Sequence, residues 1–255
     1  MTKVDSVPPF PPDFRLFLAS QSPRRHTLLR ELGIPYEVVP VHAREEEEGA
    51  QADALAERNA LAKVRGAILP LEAPPGSFVL GTDTVVEVGG RILGKPRSHE
   101  EATRMLTLLS GRSHRVVSGV ALMRVSGAKR LAASSPGALG SEVQTQILVD
   151  HATTEVTFLS LGEESIAAYI ASREWVGKAG GYAVQGLAAL FVSRIEGEYS
   201  NVVGLPLCLL ARMFREAGFD LLERRWLATL EGGRYNTRTL KAAGPPGTED
   251  REVER

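Results

Sequence analysis

The apolar run Leu16, Phe17, Leu18, Ala19 passes through Ser20-Gln21-Ser22 into Pro23, and Leu28, Leu29 and Leu32 then recur at helical spacing before Gly33. A buried strand, a tight turn and a helix with a glycine stop fit this order. Ser22 is placed as N-cap and Pro23 as the first helical residue, where its missing N–H costs nothing and its fixed φ is already helical. The helix therefore begins at the turn with unpaired backbone N–H groups.

Arg24 and Arg25 fall in the first helical turn, where the positive end of the helix dipole disfavours cations. A negative group belongs there. Phosphate suits it, because a helix N-terminus binds anions through N–H groups and dipole, and two guanidinium forks add charge-assisted hydrogen bonds. A pair of solvated surface arginines is the plain alternative. Two arginines beside Ser20 and Ser22, directly after a buried strand, favour phosphate.

The 255 residues are 43% hydrophobic and 24% charged, a globular composition long enough for one large domain or two lobes. A formal net charge of −1 gives no basic field for extended nucleic acid or an anionic membrane, so a bound polyanion should be small. Cys208 is the only cysteine, which excludes an intramolecular disulfide and a thiolate cluster within one chain. Its place in the apolar run Leu205–Leu210 predicts a buried structural thiol. The N-terminus has no continuous apolar signal region and no run could span a bilayer, so a cytoplasmic protein is expected.

Residues 1–13 read as a loose arm, 14–240 as one domain and 241–255 as a disordered tail. Tyr36 to Val41 reads as a second strand, and Glu45 to Glu48 as an acidic run. Ala52 to Ile68 has helical spacing, with Lys63 among its polar positions. Phe78–Leu80 leads into Gly81-Thr82-Asp83-Thr84, then Val85 to Val88, Gly89-Gly90 and Arg91 to Pro96. Gly-Gly between strands signals a hairpin; with Val88 facing Arg91, Thr84 stands opposite Lys95 and Asp83 lies one step away. Gly89, Gly94 and Lys95 imitate P-loop spacing, but Pro96 supplies neither the metal-binding hydroxyl nor a helical N–H.

Ser98 with Glu101, and Ser160 with Glu163, predict capping boxes for two further helices. Strands are expected over Arg115–Val125, Gln144–Val149 and Thr153–Leu159, with an extended loop over residues 126–141. Lys178 to Gly186 reads as a binding loop. Leu190–Val192 and Val202–Val203 look strand-like, and Pro206 opens a helix towards Gly218. The histidines show no metal-ligand spacing and read as surface or structural.

Ala-Ser-Gln-Ser-Pro-Arg-Arg at 19–25, Gly-Thr-Asp-Thr at 81–84, Leu-Gly-Lys-Pro at 93–96, Leu-Ser-Gly-Arg-Ser-His at 109–114, Val-Gln-Gly at 184–186 and Asn-Val-Val-Gly-Leu-Pro-Leu at 201–207 together resemble the Maf family. The resemblance spans about residues 15–220. It implies an α/β fold like that of inosine triphosphate pyrophosphatase, with a long mixed twisted sheet, flanking helices and two lobes around a cleft. It also implies hydrolysis of a nucleoside triphosphate to the monophosphate and pyrophosphate with a divalent cation, Mg²⁺ or Mn²⁺, and a homodimer.

Carried over by motif, Ser20, Arg24, Arg25, Lys63 and Lys95 would bind substrate. Asp83 would accept the proton from water or ligate the metal, with Glu45 or Glu46 as a second acidic ligand. Arg24, Thr84 and Gln185 match the positions of the subgroup acting on dTTP and UTP, whereas the 7-methyl-GTP subgroup carries a bulky apolar residue, a glutamine and a glutamate there. Thr82, Gly177 and Ala183-Val184 depart from the family pattern. A nucleotide-binding regulator of cell division is the non-enzymatic alternative; it would need the cations but not Asp83.

Overall fold

The computed structural model describes residues 7–46, 51–71, 73–125 and 146–228. The expected 126–141 loop, the tail from 241, Glu47 and Glu48 lie outside the described residues. In chain order the elements are β1 (Leu16–Leu18), α1 (Pro23–Glu31), β2 (Glu37–Val38), α2 (Ala52–Arg65), β3 (Phe78–Val88), β4 (Arg91–Leu93), α3 (His99–Leu109) and β5 (Ser113–Arg124). Then come β6 (Gln146–Phe158), α4 (Glu163–Ser172), β7 (Val192–Glu196), α5 (Tyr199–Val203), α6 (Leu207–Glu216), β8 (Phe219–Asp220) and β9 (Arg225–Trp226). Seven strands form one mixed sheet in the order β2-β1-β3-β5-β6-β7, with β4 on β3; β1 runs parallel to β2 and β3, and the other pairs are antiparallel.

Alternation along β3 sends successive side chains to opposite faces. On one face, Val79 packs with Phe17, Ala19, Ala121 and the α2 residues Ala60 and Val64. Two glycines let α2 lie unusually close to the sheet. A Cβ at Gly81 would stand 2.6 Å from Ala60 O, and one at Gly119 only 2.2 Å from Ala56 O, so any side chain there would push the helix away.

The other face carries two separate cores. One gathers Leu18, Phe78, Leu80, α1 and α6, with Phe14 and Phe219 among its fully buried rings. The second gathers Val86, Val88, Val116 and Phe158 with α3 and α4. Between them the sheet edge is open: β1 pairs β3 only as far as Leu18–Leu80, and β4 joins β3 only from Val86–Leu93. Residues 81–85 of β3 thus have no neighbouring strand on that side. The two lobes and the intervening cleft are the consequence.

Several local expectations fail for identifiable reasons. The second strand shrinks to Glu37–Val38, both exposed at the sheet edge, with Val41 making only an isolated bridge to Ala67. Val202–Val203 is helical within α5, and Leu187–Phe191 is a 3-10 turn, because an apolar run so short carries no period. Ser98 accepts from the Glu101 N–H as expected, but Gly162 rather than Ser160 precedes α4 and no side chain caps it. Cys208 is exposed, not buried: α6 turns it outward while Leu209 and Leu210 face the core. Within the expected arm, Phe10 stacks on Phe219 at 6.0 Å between centroids, and Arg224 donates to Pro8 O at 3.0 Å.

Candidate active site

The cleft holds a cavity of about 720 Å³. Ser20, Arg24, Arg25, Lys63, Asp83, Thr84, Lys95 and Gln185 all line it, as does Glu45. The chain reaches it from β1, whose last hydrogen bond, Ala19 N–H to Leu80 O, is 2.8 Å long. Ser22 then takes the extended N-cap conformation and Pro23 the first helical position, although the Ser22 hydroxyl makes no cap bond.

Arg25 is buried and uses three of its nitrogens separately. Nε donates to Gly204 O at 2.8 Å, Nη1 to Ser20 Oγ at 2.9 Å and Nη2 to Thr84 Oγ1 at 3.2 Å. Arg24 is half-buried and donates from Nε to Val203 O at 3.1 Å, while its terminal nitrogens make no hydrogen bond among the described residues. Carbonyls at the C-terminal end of α5 therefore hold both cations at the positive end of α1, where the dipole alone would repel them. Burial lowers both pKa values, that of Arg25 to about 10 against the opposing pull of Asp83 and Glu45. Both remain cations at neutral pH.

On the opposite wall, the close approach of α2 places Asn59 and Lys63, one helical turn apart, over Asp83. Lys63 Nζ lies 2.8 Å from Asp83 Oδ1 and 3.1 Å from Glu45 Oε1, and donates to Thr82 O at 3.1 Å. Asn59 Nδ2 donates to Asp83 Oδ2 at 2.9 Å, and its Oδ1 accepts from Glu46 N–H at 2.8 Å. Burial would raise the Asp83 pKa, but the Lys63 charge and the Lys63 and Asn59 hydrogen bonds, with Arg25 beyond, hold it below the usual carboxylate value.

The acidic choice left open by the sequence separates geometrically. Glu45 reaches both Lys63 and Lys95, the latter at 3.5 Å, whereas the Glu46 carboxylate pairs with exposed Arg58 at 3.0 Å. The hairpin has the expected register, Val88 facing Arg91, but its ladder ends at Val86–Leu93. Asp83 consequently has Lys63 as its ammonium partner, and Thr84 faces Ser118 of β5.

The far wall is the glycine-rich loop. Lys178 folds back, its Nζ donating to Val176 O at 2.9 Å, and burial followed by Arg24 lowers its pKa. Gln185 is exposed to the cavity and makes no hydrogen bond among the described residues. The loop behind it is braced by Glu174, whose Oε2 accepts from Leu187 N–H at 2.8 Å and occupies the space a Gly186 Cβ would need.

Asn59 was missed in the sequence, although its position one turn before Lys63 was a usable signal. Glu174 and Ser118 offered none, and Asn201 stood in a quoted motif without a role assigned to it. The histidines divide. His114 is buried with Nε2 at 2.8 Å from Tyr182 Oη, while β6 brings the adjacent pair Asp150 and His151 beside Glu57, distant in sequence, with ligand atoms within 4.8 Å of one another. That cluster does not line the cavity, and its groups are already paired: His151 Nδ1 with Glu57 at 2.7 Å, and Asp150 with Arg212 outside the cluster at 2.6 Å.

Fold and site define an α/β protein whose cleft opposes a buried and a half-buried arginine to a carboxylate–ammonium cluster. Residues 15–217 match the family model described as Maf-like protein, and the chain belongs to the Maf family. It is 43% identical to the dTTP/UTP pyrophosphatase of Anaeromyxobacter sp. (strain Fw109-5), over 82% of this chain and 92% of that protein. It is 42% identical to the dTTP/UTP pyrophosphatase of Symbiobacterium thermophilum, over 81% of this chain and 96% of that protein. Among solved structures it aligns with "The structure of the Staphylococcus aureus Ham1 protein" at TM-score 0.31 and 17% identity, covering 56% of this chain and 72% of that one. No helix among the described residues is long and apolar enough to cross a membrane.

Proposed function

We propose that this chain hydrolyses dTTP and UTP to the nucleoside monophosphate and pyrophosphate. The observation that carries this reading is the convergence, in one cavity, of Arg24, Arg25 and Lys95 with an ionised Asp83. The likeness to two dTTP/UTP pyrophosphatases over four-fifths of the chain supports it.

Asp83 and Glu45 converge on Lys63 Nζ at 2.8 and 3.1 Å and both line the cavity, so these two hard carboxylates would hold Mg²⁺ or Mn²⁺ through the oxygen lone pairs that Lys63 does not take. Such an ion supplies charge neutralisation of the phosphate oxygens and lowers the pKa of bound water. The chain's own groups do the rest. Arg24 grips phosphate oxygens with its two terminal nitrogens and Arg25 with the second N–H of each terminal nitrogen, and Lys95 contributes a second positive edge. Asp83 holds the attacking water through the lone pairs that Lys63 and Asn59 leave open and takes its proton as the bond forms. Its depressed pKa keeps it ionised, favouring water orientation over equilibrium proton storage. Gln185 offers an amide donor and acceptor to a uracil or thymine edge.

Purified protein with magnesium should release pyrophosphate from dTTP and UTP faster than from dCTP, GTP or 7-methyl-GTP. Orthophosphate as first product, faster turnover of 7-methyl-GTP, or nucleotide binding without any turnover would overturn the assignment.

A further inference from the structure

Arg25 is tied to α5 twice, once directly through Gly204 O and once through a chain of hydroxyls. Its Nη2 donates to Thr84 Oγ1, which lies 2.8 Å from Ser118 Oγ, and Ser118 Oγ is 3.3 Å from Asn201 O. Each hydroxyl has a single hydrogen. A carbonyl can only accept, so the Ser118 hydrogen goes to Asn201; Ser118 must then accept from Thr84, and Thr84 turns its lone pairs to the guanidinium. The chain has one direction, from Arg25 through Thr84 and Ser118 to Asn201 O.

The far end is fixed. Asn201 is wholly buried, and its Nδ2 donates to Val116 O at 2.9 Å and to Thr154 Oγ1 at 3.0 Å, pinning α5 to β5 and β6. Ser118 is likewise 0% exposed and does not line the cavity, so it cannot touch a ligand. We infer that Ser118 is a positioning residue of the anion site, setting the Thr84 hydroxyl so that it always presents an acceptor to Arg25. Without Ser118, the Thr84 hydroxyl hydrogen can rotate towards the guanidinium, which has no lone pair to accept it, and the guanidinium loses one of its fixed partners. Thr84 is also thereby committed as an acceptor, leaving its methyl rather than a free donor to a bound nucleotide.

The inference rests on the anion-site part of the proposed function, and the test separates the two. Calorimetry with inorganic pyrophosphate, alongside dTTP kinetics, compares the unmutated full chain with Ser118→Ala, Thr84→Val and the double variant. Ser118→Ala should weaken pyrophosphate binding and raise KM by about fivefold, the net scale of one ordinary hydrogen bond, with kcat within about twofold. The double variant should bind no more weakly than Thr84→Val, because both changes break the same chain. If Ser118→Ala does not fold, Thr84→Ser, which keeps the hydroxyl, should bind pyrophosphate like the unmutated chain while Thr84→Val does not. Unchanged binding in Ser118→Ala, losses that multiply in the double variant, or Thr84→Ser as weak as Thr84→Val would overturn the inference. Unmutated protein that binds pyrophosphate but releases none from dTTP overturns the pyrophosphatase reading alone, and protein that binds none overturns both.

Discussion

Lys63 Nζ lies 2.8 Å from Asp83 Oδ1 with both groups buried, and the same ammonium stands 3.1 Å from Glu45 Oε1. Lys63 therefore compensates two carboxylates at once, and Asn59 fixes the second Asp83 oxygen. Asp83→Asn keeps the shape and leaves Lys63 with Glu45 and Thr82 O. Turnover of dTTP should fall by about 10²–10⁴-fold, the usual worth of a positioned acid–base group, while circular dichroism reports an intact fold. A variant with near-normal kcat would remove Asp83 from the mechanism. The depressed Asp83 pKa adds a pH signature: its stabilisation is present above the unfolded carboxylate value of about 3.9 and is lost as pH falls through the lower folded value. Below about pH 4, the unmutated protein should lose Tm more steeply than Asp83→Asn.

Arg24 and Arg25 are not equivalent. Arg25 uses Nε, Nη1 and Nη2 on three different acceptors, whereas Arg24 is held through Nε alone. A lysine ammonium cannot reproduce a planar three-way fork. Arg25→Lys should raise KM for dTTP by about tenfold or more and lower Tm, and Arg24→Lys should do less to Tm. Equal Tm losses for the two variants would contradict this asymmetry.

What the sequence disclosed and withheld follows from the range of the forces involved. The β3–β4 register was legible because Gly89-Gly90 pins a two-residue loop, and the start of α1 because Pro23 fixes a backbone angle locally. The seating of α2 on the sheet was not, since Gly81 and Gly119 matter only once β3 and β5 are paired. The β3–β4 ladder stops at Val86–Leu93, so the extrapolated Thr84–Lys95 pair does not form, and the seating of α2 rather than the hairpin supplies the ammonium beside Asp83. Glu45 and Glu46 were indistinguishable for the same reason: only the packed α2 directs one towards Lys63 and the other towards Arg58.

Thr82 carries a cost that the site does not recover. Its Oγ1 is fully buried and has no hydrogen-bond partner among the described residues. Thr82→Val preserves the branched shape and removes the unpaired hydroxyl. Stability should rise by about 1 kcal/mol in urea unfolding, with kcat for dTTP unchanged. A destabilised variant would mean that the hydroxyl is satisfied by a group outside the described residues.

His114 should account for part of the acid sensitivity. Burial pushes its pKa down to about 4, against a smaller opposing backbone hydrogen bond, so the folded protein keeps it neutral where the unfolded chain would protonate it near 6.5. The stability it contributes is complete above about pH 6.5 and is lost as pH falls towards 4, a span worth roughly 3 kcal/mol. In His114→Gln the fall in unfolding free energy between pH 6.5 and 4 should be shallower, whatever the variant costs at neutral pH. An identical slope would place the acid sensitivity in other groups.

Gln185 is the position at which base preference should change. Its amide faces the cavity unengaged, and the loop is braced instead by Glu174 against the Leu187 N–H, so the side chain is free to meet a ligand. Uracil and thymine present carbonyl acceptors that require a donor, and Gln185→Glu replaces the amide N–H₂ with a second acceptor. It also puts a negative charge where a neutral side chain lines the cavity. For dTTP and UTP, kcat/KM should fall by about 10²-fold, since a buried carbonyl left facing a carboxylate is both unpaired and repelled. A positively charged 7-methylguanine would be spared that repulsion, so the ratio of 7-methyl-GTP to dTTP turnover should rise in the variant. Pyrophosphate release assays on both nucleotides, before and after the substitution, measure that ratio directly, and an unchanged ratio would take Gln185 out of base selection.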